Sequence, residues 1–188
     1  MSKTPNGFLA YGEEHHAIES IMRLQAVKRW HMIDTTRTQN LAEHSANVAV
    51  LASMIAYTAP NFWFDSHPAV AMAALIHDIA EAFTGDIPSH TKRHLQGIKE
   101  LEDEMVHPVF RLAVEINDNS KALIKLCDLA DGIRFIRLHG VDMTASHAQE
   151  GLEDQLIAKF DLLMAEGWPE HIVGHVRQHV MFYAYERE

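Results

Sequence analysis

Apolar positions recur every three or four residues along nearly the whole chain, and no alternating run long enough for a strand interrupts them. Ile18, Ile21, Met22 and the Gln25-Ala26 step form a first amphipathic stretch that runs out near Trp30. Residues 32–40 are polar and threonine-rich without a strong period, which predicts a loop. A second helix is expected from about Leu41, with Val48, Leu51, Met54 and Ile55 on its inner face. The Ala59-Pro60 step ends it, and an aromatic loop from Asn61 to Asp65 follows. Pro68 suits the first turn of a third helix running through Ala82 and closed by Gly85. That helix is apolar nearly all round, so it is expected to be the central one. A charged helix from about Leu95 to Ile116 should be kinked or interrupted by Pro108. Ser120 is placed to cap the next helix, which carries Asp128 and stops before Gly140. The last two helices run from about His147 to Glu166 and from Pro169 onward, with Gly167 as a C-terminal cap between them. The pattern predicts one all-α domain over residues 1–188, a multi-helix bundle in which residues 1–12 are expected to be flexible.

Composition narrows the partners. At 188 residues, 47% apolar and 22% charged, the chain has the length and balance of one well-filled globular core. The excess of 26 acidic over 16 basic residues leaves a net charge of −10, which argues against a nucleic-acid polymer as partner. A small phosphorylated ligand remains compatible with it. The longest strictly apolar run, Ala69 to Ile76, is too short to span a bilayer, and no basic-then-apolar leader opens the chain. The lone Cys127 can form no internal disulfide. A soluble cytoplasmic protein with no membrane partner is expected, and an apolar surface on the terminal helices would suit a homo-oligomer.

The chemistry concentrates at His77-Asp78, inside Ala-Ala-Leu-Ile-His-Asp-Ile-Ala-Glu. An ionised aspartate beside a histidine in an apolar helix is costly without a compensating partner, and a metal ion suits both side chains. His44 and Asp128 stand at helical positions on either side in sequence. Two imidazoles and two carboxylates make a mixed donor set for a borderline or hard divalent ion. Asp131, one turn beyond Asp128, is the rival carboxylate. Glu81 lies four residues after His77 and three after Asp78, so all three would share one helix surface, and Asp86 follows the Gly85 turn. An acid close to a metal without ligating it can orient or deprotonate water, while Asp86 offers a second proton site. The reaction class that fits is metal-assisted phosphate-ester or phosphoanhydride hydrolysis.

The order His44, His77-Asp78, Asp128 resembles the HD-domain metal-dependent phosphohydrolases. Within that superfamily, Arg29-Trp30, the segment Thr-Gln-Asn-Leu-Ala-Glu-His-Ser (38–45), His-Asp-Ile-Ala-Glu-Ala-Phe-Thr-Gly-Asp-Ile-Pro (77–88) and Lys92 resemble the YfbR-like deoxynucleotidases. The resemblance covers roughly residues 20–140; beyond it the last two helices match only in being helical. It implies an HD-domain bundle with a central site holding one divalent ion (Zn, Co, Mn or Mg), a second ion accompanying substrate phosphates, and a small-molecule deoxynucleotide as substrate. By the same resemblance His44, His77, Asp78 and Asp128 are the metal ligands and Glu81 and Asp86 the catalytic acids.

The 50 positions between Asp78 and Asp128 make this segment resemble the compact phage dATP triphosphohydrolases of the DatZ-like type more than the bacterial monophosphatases. Hydrolysis of deoxynucleoside triphosphates is therefore expected, with a 5′-deoxynucleotidase acting on monophosphates as the alternative. Arg29 and Lys92 would then hold phosphates, the first as a rigid fork and the second as a point charge. Trp30 would oppose the sugar where a ribose 2′-hydroxyl clashes, and Met32 and Ile33 either line the base pocket or belong to the core. A non-catalytic nucleotide sensor would not need Glu81 or Asp86, and a di-iron bundle would need Glu-x-x-His pairs that are missing. His171, His175 and His179 recur every fourth residue but have no carboxylate at matching spacing, so they read as a surface stripe.

Overall fold

The computed structural model describes residues 11–59, 63–112 and 115–186. The fold is all helical: α1 Tyr11–Arg23, α2 Leu41–Thr58, α3 His67–Leu75, α4 Glu81–Thr84, α5 Ser89–Lys92, α6 Ile98–Met105, α7 Pro108–Leu112, α8 Asp118–His139, α9 Met143–Ala165 and α10 Glu170–Tyr185. Among the described residues extended pairing is confined to two isolated bridges, Lys28 with Asn40 and Thr35 with Gly140. No described helix is long and apolar enough to cross a membrane. The expectation of flexibility over residues 1–12 falls mainly outside the described residues, as do Pro60 and the start of the aromatic loop; Tyr11 and Gly12 already belong to α1.

The central helix is α8, not α3. Leu123, Leu126, Cys127, Ala130 and Ile133 of α8 are fully buried in the main core, against Val48, Leu51 and Ile55 of α2, Leu156 and Phe160 of α9, and Val176 and Val180 of α10. Each such aliphatic or aromatic side chain contributes roughly 1.5–3 kcal/mol of burial free energy. α3 buries Val70, Ala73 and Ala74 but leaves Met72 46% and Leu75 40% exposed, so its all-round apolarity does not mark a helix buried on every side. Two inward assignments also change. Met54 is largely exposed on α2, and in the first amphipathic stretch Ala17 and Ser20 of α1 and Leu24 just beyond it are buried, whereas Ile18, Ile21 and Met22 face outward.

Several ends differ from the pattern for local reasons. α1 stops at Arg23 rather than near Trp30, giving way to a turn in which the Leu24 amide donates to Ile21. Asn117, not Ser120, caps α8 by accepting the Ser120 amide, while the Ser120 hydroxyl accepts from the Asp65 amide and ties the preceding loop to the core. Asp142 caps α9 through the Ala145 amide, so that helix begins ahead of His147. The expected charged helix is broken: α6 and α7 are separate, and Pro108 opens the second where a missing N–H costs nothing.

Gly140 turns the corner between α8 and α9. A Cβ there would stand 2.6 Å from the Ala145 Cβ and 2.7 Å from the Ile136 carbonyl oxygen. Gly140→Ala is therefore expected to lower stability by about 1–3 kcal/mol, the usual cost of overpacking. Urea unfolding checks this, and an unchanged midpoint would show that the corner can open without loss.

Candidate metal centre and active site

His77 and Asp78 do not lie on a continuous helix. α3 ends at Leu75, and residues 76–80 form tight turns in which Ile79 donates to Ile76 and Glu81 to Asp78. The His77 ring explains the break: its Nδ1 lies 2.7 Å from the Ala74 carbonyl oxygen, which in a continued helix would accept the Asp78 amide. His77, Asp78 and Glu81 are therefore presented from a break between two helices, in correction of the single surface expected from their spacing. The break sits between the main core and a smaller cluster of Ala17, Leu24, Leu41, Ile79, Ala82 and Phe110. His44, fully buried, projects from α2 one turn past Leu41 of that smaller cluster and one turn before Val48 of the main core.

His44, His77, Asp78 and Asp128 come together so that one ligand atom of each lies within 4.8 Å of the others. Nε2 of His44 stands 3.2 Å from Asp128 Oδ1 and 3.6 Å from Asp78 Oδ2, and Nε2 of His77 is 3.1 Å from Asp78 Oδ2. Both Nε2 atoms are buried without a hydrogen-bond partner, while both Nδ1 atoms are engaged. With Nδ1 engaged from behind, Nε2 is on each ring the nitrogen left to meet a cation. The charges agree. The His77 imidazole beside Asp78 holds that carboxyl at about 2 despite burial, and the nearby His44 ring and Lys125 hold Asp128 well below the usual carboxylate range despite burial. Two carboxylates would balance a dication. Among the described residues no other group of His, Cys, Asp and Glu has this geometry.

Asp131 has a different task. Its Oδ2 is 2.7 Å from His44 Nδ1 and accepts from Gln39 Nε2 at 2.8 Å; its Oδ1 accepts from Asn47 Nδ2 and from the Tyr183 hydroxyl. This carboxylate orients His44 from behind rather than facing the cluster. Gln39, Asn47 and Tyr183 carry no motif and escape a reading of the sequence. The only hint is that Gln39 belongs to the 38–45 segment.

The proposed catalytic and substrate residues surround this centre. Glu81 is buried; burial with the Asp78 and Asp86 carboxylates pushes it up to about 8, against the pull of Lys92 and Arg29. Lys92 Nζ lies 3.6 Å from Glu81 and 2.7 Å from Glu102, another buried acid. Arg29 approaches Asp128 and Asp131 at 3.9 Å and keeps a buried Nη1 without a hydrogen-bond partner. Asp86 accepts the Trp30 backbone N–H at 3.3 Å, holding a residue with φ of 61°, a left-handed conformation that is costly for a side chain this bulky. The Trp30 indole stacks near-parallel to Phe135, with ring centroids 6.3 Å apart, and donates to Gln39 at 2.8 Å. Ile33 packs with Phe135 and Ile136, whereas Met32 is 64% exposed in the loop. A cavity of about 580 Å³, lined by Lys28, His31, Gly85, Asp86 and Pro88 among others, opens beside Asp86.

The profile of the family described as 5′-deoxynucleotidase YfbR-like matches residues 16–131. The chain belongs to this family. The YfbR-like match contains all four clustered residues and ends at Asp131, so Tyr183 of α10 lies beyond it. The chain is similar to a dATP triphosphohydrolase of Salmonella phage PMBT28, 31% identical over 150 residues, which are 72% of this chain and 73% of that protein. It is also similar to the 5′-deoxynucleotidase PM0747 of Pasteurella multocida, 34% identical over 95 residues, 47% of this chain and 48% of that one. Among solved structures, the Cyanophage S-2L HD phosphohydrolase (DatZ), bound to dA and one catalytic Zn²⁺ ion, superposes with a TM-score of 0.73 at 26% identity, covering 87% of this chain and 93% of its own.

Metal binding should be pH-linked through His77. Burial opposes protonation of this ring, yet the Asp78 and Asp128 carboxylates raise it to about 9 in the metal-free protein. Below that value a cation must displace a proton, so apparent affinity is expected to climb as pH rises and to fall by up to about tenfold per unit on acidification. Chelator competition at several pH values between roughly 6.5 and 8.5 reads this directly. A flat profile would show that no proton leaves a ligand in this range, against the raised His77.

Proposed function

We propose that this YfbR-like protein is a metal-dependent phosphohydrolase of deoxynucleotides, with deoxynucleoside triphosphates, dATP foremost, as substrates and a deoxynucleoside plus phosphate as products. The observation that carries the reading is the pair of buried Nε2 atoms without partners, set among two ionised carboxylates and ringed by Glu81, Asp86, Arg29 and Lys92. The similarity to a phage dATP triphosphohydrolase extends over 72% of the chain, against 47% for the bacterial 5′-deoxynucleotidase, which favours the triphosphate over the monophosphate substrate. The dA bound by the similar S-2L enzyme favours adenine.

In this reading His44, His77, Asp78 and Asp128 hold one divalent ion. When bound, it supplies Lewis-acid polarisation of a phosphate oxygen and a lowered pKa for attacking water. Arg29 offers its unpartnered buried N–H to phosphate oxygens, and Lys92 adds a second positive charge beside Glu81. Glu81 orients the water and, in the ionised form that Lys92 and Arg29 favour against burial and its carboxylate neighbours, takes its proton. Asp86 provides the second acid–base position while holding the Trp30 amide. Trp30, fixed by Phe135 and Gln39, stands as a wall against a ribose 2′-hydroxyl, and the cavity beside Asp86 takes the nucleoside, with Met32 exposed in the same loop as Trp30 and free to reach the base. The apolar side chains exposed on the terminal helices, including Ile157, Leu162, Met181 and Phe182, support a homo-oligomer, and the phage relatives suit a setting in host cytoplasm.

Glu81→Ala is expected to keep metal and nucleotide affinity while turnover falls about 10²–10⁴-fold. Loss of affinity with turnover retained would make Glu81 a binding residue. In a panel of dATP, dAMP and ATP at one metal concentration, dATP should be cleaved at least as well as dAMP and far better than ATP. Robust dAMP cleavage with inert dATP would replace the triphosphate reading by the 5′-deoxynucleotidase.

A further inference from the structure

Gln39 connects two parts of the site that the chemistry treats separately. Its side chain is 1% exposed, and its two polar atoms have opposite and unambiguous partners. Trp30 Nε1 can only donate, and it gives its proton to Gln39 Oε1 at 2.8 Å; the Asp131 carboxylate can only accept, and it takes the Gln39 Nε2 proton at 2.8 Å. The same Asp131 oxygen, Oδ2, lies 2.7 Å from Nδ1 of His44, whose Nε2 faces the metal cluster. An unbroken hydrogen-bonded chain therefore runs from the indole N–H through Gln39 and Asp131 to a candidate metal ligand. Its components are buried or half-buried, so no water replaces a lost link at low cost.

We propose that Gln39 is a positioning residue that couples the Trp30 wall to His44, so that the seating of the indole and the strength of metal binding change together. The proposal rests on the reading of His44 as a ligand and extends the role given to Trp30. Its physical basis is the shared oxygen of Asp131. A displaced indole frees Gln39 to rotate, Asp131 then loses one of the donors fixing Oδ2, and the His44 ring loses part of the restraint that aims Nε2. A nucleotide whose 2′-hydroxyl pushes on Trp30 would thereby loosen the metal site as well as bind less well. Sugar discrimination would reach the catalytic step rather than stop at affinity. By linkage the effect is reciprocal: metal binding steadies the wall.

The test is a double-mutant cycle read as Zn²⁺ affinity of the full chain by chelator competition. Gln39→Met keeps volume and removes both hydrogen bonds; Trp30→Phe keeps an aromatic ring against Phe135 and removes the indole donor together with the part of the ring that packs near Gly132. Gln39→Met is expected to weaken Zn²⁺ binding roughly 10–100-fold, the usual effect of a lost partner behind a metal-bound histidine. Trp30→Phe, which touches no ligand, should weaken it about three- to tenfold, and the double variant should be no worse than Gln39→Met alone. Full additivity, or unchanged affinity in Trp30→Phe, would overturn the coupling. Should Gln39→Met fail to fold, Trp30→Phe alone still decides the matter. Tyr183→Phe removes a donor from Asp131 on the side away from Trp30, so it should weaken Zn²⁺ binding while leaving the dATP-over-ATP ratio intact, whereas Gln39→Met should narrow that ratio, chiefly in kcat. A ratio narrowed equally by both variants would also count against the link. If Trp30→Ala leaves the ratio unchanged but the Zn²⁺ cycle is non-additive, the sugar-wall role fails and the coupling stands; if the ratio narrows but the cycle is additive, the wall stands and the coupling fails.

Discussion

Asp131 is a buried carboxylate held by four hydrogen-bonding groups from different parts of the chain: Gln39 from the loop before α2, His44 and Asn47 from α2, and Tyr183 from α10. Left unpaired, such a charge would cost several kcal/mol, and removing one partner of a buried ionic group is commonly more damaging than never having built it. Here the cost is offset by satisfying both oxygens, and the offset works only when α2, α8 and α10 are all in place. The Asp131–His44 contact is thus a condition on the packing of the bundle as well as on the site. Burial opposes ionisation of Asp131, yet the His44 bond and the Tyr183 hydroxyl lower it, while burial and Asp131 raise Tyr183, keeping the phenol a donor.

A second constraint is the break after α3. Had the helix continued, His77 would have stayed tied to its helical surface and the Ala74 carbonyl would have been occupied by the backbone. Giving that carbonyl to the His77 ring ends the helix, fixes the ring by one nitrogen and leaves the other facing Asp78. The same local event places Glu81 at the start of α4 and, one short turn later, Gly85 with φ of 76° to redirect the chain so that Asp86 meets Trp30. Helix termination and site assembly are one piece of local chemistry.

The helical class, the loop over residues 32–40, the interruption at Pro108 and the clustering of His44, His77, Asp78 and Asp128 were legible in the sequence because each leaves a local mark: period, proline, or an unusual polar pair in apolar surroundings. The prominence of α8 was not, since Asp128, Asp131 and Lys125 dilute its apolarity while the more apolar α3 leaves Met72 and Leu75 exposed. In α1 the small residues Ala17 and Ser20 face inward and the large Ile18 and Met22 outward, which inverts the simple size rule. The partners of Asp131 were hidden for a different reason. Gln39 and Tyr183 lie 92 and 52 residues from it, and a hydrogen bond over such separations has no periodic trace. Asp128 and Asp131 were rivals one turn apart. Only their neighbours separate them: Asp128 turns Oδ1 toward Nε2 of His44, and Asp131 takes Nδ1.

One ion is expected on the Nε2 side of His44 while Asp131 stays behind the ring. A crystal structure of the zinc-loaded protein, with anomalous scattering collected at the zinc edge, addresses it most directly. The expected result is one strong anomalous peak per chain, bonded to His44 Nε2, His77 Nε2 and the carboxylates of Asp78 and Asp128, with Asp131 still hydrogen-bonded to His44 Nδ1. A peak bonded to Asp131, or to the Nδ1 nitrogen of either histidine, would contradict it.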